Sequence, residues 1–161
     1  MHMPEPFHIE FSIPPMWETI NGIRETISKD ERVRNQGETL VNATVMVASE
    51  LLENAVKYGF HNSDMPAVQF ALDIGQDEVK IIVANALSPG ANLTRFREIL
   101  QAIQDSRNPE KLYTDRLLEI ANNPIPGDSG LGLYRIAYEG GYNLKFVEQD
   151  SILTVYASRK I

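Results

Sequence analysis

Between Glu38 and Tyr58 the apolar residues recur so closely that a helix there has almost no wet side. At about 100° per residue, Val45, Ala48, Leu51, Leu52, Ala55 and Val56 cover most of its circumference. Glu50, Glu53, Asn54 and Lys57 share the remaining arc, about 100° wide. A helix this apolar needs neighbours on nearly every side, and Gly59 stands ready to stop it. The polar stripe is open to two readings. It is the side left to water, or it lines a site.

The flanking patterns supply the neighbours. Phe7, Ile9, Phe11 and Ile13 alternate with polar residues, as in a half-buried strand that Pro14-Pro15 ends. Met16, Ile20, Ile23 and Ile27 recur at helical spacing, so a first helix should reach Lys29; the polar stretch Asp30 to Gly37 reads as a loop. Val68 to Ile74 and Val79 to Val83 alternate around the turn Gly75-Gln76-Asp77 and form a hairpin. Two helices follow, from Leu93 to Gln104 and from the cap Asn108-Pro109-Glu110 to Asn122. A helix from Gly130 to Glu139 ends at Gly140-Gly141, and Tyr142 to Val147 with Ile152 to Ala157 makes a closing hairpin. This order predicts an α/β two-layer sandwich: a mixed, mostly antiparallel sheet with helices on one face. A chain of 161 residues, 43% of them apolar, suits a single domain over 1–161 with a short tail at 1–5.

The formal charge of -7 argues against nucleic acid or an anionic membrane as partner, since both attract positive surfaces. A polyanion such as ATP would need local help from a metal, a lysine or backbone amides. The absence of cysteine excludes disulfides and thiolate chemistry. No apolar run approaches the ~20 residues of a membrane helix. Met1 to Pro6 lacks the basic-then-apolar order of a signal peptide, and a cytoplasmic protein is expected.

On this helix alone the wet side is the commoner explanation; the site reading rests on the chemistry of the side chains. Magnesium takes oxygen ligands and keeps several waters, so the amide oxygen of Asn54 would suffice beside two phosphates. Glu50, one turn earlier, is placed to take a proton from an attacking hydroxyl. Lys57 would neutralise phosphate charge, or simply sit at the surface. A second segment, Gly127-Asp128-Ser129-Gly130-Leu131-Gly132-Leu133, opens a helix as a phosphate cradle would, although turns and tight helix packing use glycine too.

These two motifs, their order and the α/β layout resemble the GHKL (Bergerat-fold) ATPase superfamily, over roughly Phe7 to Ser158. The resemblance makes Glu50 and Asn54 the N-box, with Asn54 holding magnesium and Glu50 the base. It makes Ser129, Gly130, Leu131 and Gly132 phosphate contacts. The family's Asp-x-Gly-x-Gly box, whose Asp reads adenine, matches Val83 to Gly90 here. Asn85 stands in the place of the Asp, Leu87 in that of the first Gly, and Gly90 is shifted. Within that superfamily the chain looks most like the stand-alone serine/threonine kinases of bacterial partner switching, and its long helical insert and Asn85 box are similar to the SiaB-type kinases. That branch implies ATP and magnesium as cofactors, a STAS-domain antagonist as substrate, a sigma factor or similar regulator as further partner, and a homodimer. The insert at 91–126 would be a helical lid over the nucleotide. Its five basic residues (Arg95, Arg97, Arg107, Lys111, Arg116) balance five acidic ones.

Overall fold

The computed structural model describes residues 7–13, 17–58, 67–88, 90, 92–123 and 131–161. Its sheet has five strands: β1 (Phe7–Ile13), β2 (Val68–Ile74), β3 (Glu78–Ala86), β4 (Asn143–Gln149) and β5 (Ile152–Lys160). They lie in the order β1-β2-β3-β5-β4. All four pairings are antiparallel, so the two-layer sandwich forms with an antiparallel rather than a mixed sheet. The last hairpin closes through Asp150 and Ser151, with φ of 54° and 62°, the left-handed pair that suits the twist of a two-residue turn.

Alternation sets which face is covered. Phe70, Leu72, Val79, Ile81, Val83, Val155 and Ala157 point inward and are buried. Their neighbours on the other face, among them Gln69, Lys80 and Tyr156, stay half-buried or exposed. His8 lies on that outer face and pairs with Asp73, directly across from it on β2.

The covering layer is built on α3 (Glu38–Tyr58). Val47, Ala48, Leu51, Leu52 and Ala55 of this helix are almost wholly inaccessible, as its apolar circumference demands. Around it pack α1 (Trp17–Lys29) and α6 (Leu131–Tyr138), while α3 itself lies on β3.

The segment expected as a loop after α1 holds a further short helix, α2 (Glu31–Arg34). Asp30 caps it by accepting a hydrogen bond from the Arg32 amide at 2.9 Å, and Val33 drives it into the core at 2% exposure.

The insert forms α4 (Thr94–Asp105) and α5 (Pro109–Asn122). Phe96, Ile99 and Leu100 of α4 belong to the main core, and Phe96 meets Phe146 of β4 edge-on at 5.5 Å. In α5, Tyr113 packs on Tyr138 of α6, also at 5.5 Å. Three of the insert's cations are held in ion pairs: Arg97 with Glu148, Lys111 with Asp115, Arg116 with Glu119. The insert is thus packed against α6 and β4 rather than standing away from the core. Among the described residues no helix is long and apolar enough to cross a membrane.

Candidate functional site

Glu50 and Gly132 come together although they are far apart in the chain. A Cβ added at Gly132 would overlap the Glu50 carboxylate, with Oε2 nearest and Cδ only 3.1 Å away. Gly132 lies in the first turn of α6, so the segment proposed as a phosphate cradle leads into a helix whose start touches the proposed base. The other oxygen, Oε1, accepts a hydrogen bond from Arg135 at 3.1 Å. Arg135 also reaches Glu139 at 3.1 Å, so one guanidinium spans two carboxylates.

Burial is the main force on Glu50. Its side chain is 17% exposed. Removal from water pushes its carboxyl above the ordinary value, and the Glu53 charge pushes the same way. Arg135 pulls down, Glu139 pushes up and Arg24 pulls down, but burial outweighs the guanidinium attraction. A carboxyl raised in this way is a better proton acceptor than an ordinary glutamate carboxylate.

Asn54 lies one turn further along α3. Its Nδ2 is buried and has no hydrogen-bond partner among the described residues. An unpaired buried amide is costly, so the site invites a missing group. The two ends of an amide exchange by a half-turn. As placed, Asn54 offers a donor to a phosphate oxygen; turned over, it offers an oxygen to a cation. Among the described residues no three His, Asp or Glu side chains gather as a protein-only metal cage would require. Magnesium held here would take most of its ligands from phosphate and water, which is its ordinary habit. The buried, unpaired amide of Asn54 fits a magnesium-bound phosphate.

Lys57 is exposed in the last turn of α3. Asn85 does not lie past the end of a strand. β3 runs on to Ala86, and Asn85 faces inward opposite Leu153 at 4% exposure. Its Nδ2 donates to the Ala86 carbonyl at 3.1 Å, which leaves Oδ1 as the free acceptor. Leu87, where the resemblance calls for glycine, is 6% exposed and joins the core; its amide donates to Ser151 O at 2.8 Å. Gly90 adopts φ of 78°, a left-handed conformation that favours glycine, and borders a polar pocket of about 380 Å³ with Ser88, Arg97 and Asp150. No hydrogen bond joins Asn85 to Glu50 or Asn54. Leu131 is half-buried at the start of α6. Ser129 and Gly130 lie outside the described residues, as do Gly59, Gly127 and Asp128.

Sequence reasoning missed Arg135 as a partner of Glu50. It also missed a polar pocket of about 370 Å³ that Arg24, Asn42, Glu50, Glu53 and Arg135 line beside the carboxylate. A larger cavity, about 910 Å³, lies elsewhere, between the insert and β4, and holds none of the proposed site residues.

The Gly132 contact gives a direct expectation. The Gly132→Ala variant should keep its Tm within a few degrees of wild type, because alanine favours the helix and the overlapped atom is the end of a movable side chain. The Glu50 carboxylate should leave its place against Arg135, which a crystal structure of the variant would read. An unmoved carboxylate would mean that the helix start yields instead.

Set against models of known protein families, the chain matches none, and a comparison with curated proteins also gives no match.

Proposed function

We propose that this chain is a magnesium- and ATP-dependent protein serine/threonine kinase of the cytoplasm that phosphorylates a STAS-domain antagonist in a partner-switching system. The observation that carries this reading is the meeting of Glu50 with Gly132, one helical turn from the unpaired amide of Asn54. The class of the protein substrate rests on the resemblance alone.

Bound magnesium-ATP would supply the transferable phosphoryl group and most of the neutralising charge. The chain's own part is positioning and one proton. Glu50 takes the proton of the acceptor hydroxyl as its oxygen bonds to phosphorus; the terminal P–O bond breaks and its electron pair leaves on ADP. Arg135 holds the Glu50 carboxylate in one orientation. Asn54, with its amide oxygen turned to the site, would hold the magnesium beside the phosphates. Asn85 accepts from the adenine amine through its free oxygen, a role in which an amide replaces a carboxylate without a change of hydrogen-bond sense. The first amides of α6, those of Leu131 and Gly132, would donate to the phosphates.

Thermal denaturation tests the reading. ATP should raise Tm only with magnesium present, and Asn54→Ala should remove most of that rise. In the absence of nucleotide the same variant should be no less stable than wild type, because the lost Nδ2 has no bond to lose. No shift at millimolar nucleotide would sink the kinase. One observation favours a second reading, a non-catalytic nucleotide-binding protein of anti-sigma type that sequesters a partner. Leu87 fills the place of a glycine and is tied into the core. Formation of ADP together with a phosphorylated protein partner would exclude it.

A further inference from the structure

The pocket beside Glu50 is walled by α1, α3 and α6, and its α3 wall runs from Asn42 to Glu53 without including Asn54. Glu50 therefore has two neighbourhoods. One is its contact with Gly132; the other is this pocket. Its volume, about 370 Å³, is that of roughly twelve waters, room for a small side chain and some of its backbone.

Its charges are unevenly committed. Arg135 is engaged by Glu50 and Glu139. Arg24, exposed on α1, makes no hydrogen bond or ion pair among the described residues, yet lies close enough to favour the charged form of Glu50. Glu53 likewise has no ion-pair partner there and stands on the α3 side. Two arginines and two glutamates leave the pocket locally neutral in a chain of charge -7. An acidic segment is repelled less here than over the rest of the surface. Inside, Glu53 drives a carboxylate away and Arg24 attracts it with a planar fork of donors.

We propose that this pocket is the acceptor subsite, and that it takes a serine or threonine flanked by an acidic residue, with the hydroxyl at Glu50 and the carboxylate at Arg24. Arg24 is then a specificity residue. The inference rests on the kinase reading for the role of Glu50, but the pocket's charge preference can be measured without nucleotide.

The probe is a set of dye-labelled short peptides with one central serine, in which each flanking position in turn carries Gln, Glu or Lys. Binding is read by fluorescence anisotropy, with peptide affinity followed to the millimolar range. For at least one position, wild type should bind the Glu peptide about five- to tenfold more tightly than its Gln counterpart. The Arg24→Gln variant should lose that difference, and Arg24→Glu should prefer Lys at the same position. Arg24 is exposed, so both variants should melt like wild type. An absence of Glu preference in wild type, or its survival in Arg24→Glu, would overturn the subsite. Failure of magnesium-ATP to shift Tm would instead remove the kinase reading while leaving an Arg24-dependent peptide preference standing.

Discussion

The Glu50→Gln variant should lose phosphoryl transfer by roughly a hundred- to ten-thousandfold, keep its magnesium-ATP thermal shift, and melt higher than wild type near neutral pH. The first result follows from removing the proposed proton acceptor. The second follows because Asn54 and the start of α6 are untouched. The third comes from linkage. The Glu50 carboxyl is raised above 4.5 by burial and by Glu53, so the folded chain holds that proton more tightly than the unfolded chain does. Above the folded value, ionised Glu50 is a cost to folding. The cost is relieved as pH falls through the folded value and is gone below 4.5. Glutamine imitates the protonated acid and removes the cost. Its gain in Tm should therefore appear on the neutral side and shrink to nothing as pH drops past 4.5. The loss of the Arg135 pair works the other way, but the net upward shift already includes that attraction. A lower Tm for the glutamine variant at neutral pH would show that the Arg135 pair outweighs burial. An undiminished rate of phosphorylation of a cognate STAS protein would remove Glu50 as the base.

Stabilisation by loss of a functional group is the expected signature of a site that holds a charge against its own burial. Part of this was legible in the chain. The four-residue spacing of Glu50 and Asn54 is a local relation, and the helix that carries it repeats apolar residues over many turns. The strands were legible for the same reason, since inward and outward residues alternate. The boundaries that failed did so where a local period is short or interrupted. α2 has only four residues, too few for a period; Asp30 as its cap was the available signal. In β3 the inward alternation ends on a polar residue, Asn85, and pairing with β5 as far as Ile152, rather than apolar pattern, carries the strand to Ala86. The Arg135–Glu50 pair spans 85 positions, and nothing local in either segment marks it. The same holds for Gly132, whose small size is explained by a carboxylate on another helix.

Leu52→Ala should have the opposite profile: a large loss of stability with chemistry preserved below the melting range. Leu52 is fully inaccessible and lies on α3 two residues from Glu50, so about 200° round the helix from it. Truncation removes a buried methine and two methyl groups and leaves a cavity between α3 and its neighbours. Such changes cost about 3 kcal/mol, and in a chain of this size Tm should fall by about 6–12 °C. The side chain touches neither face of Glu50, so at temperatures where the variant is folded its rate and its magnesium-ATP shift should stay close to wild type. Together the two substitutions test whether α3 keeps its roles apart, with the core on one side and proton transfer on the other. If Leu52→Ala lost activity while still folded, the position of Glu50 would depend on packing across the helix. The site would then be held by the core as much as by Arg135 and Gly132.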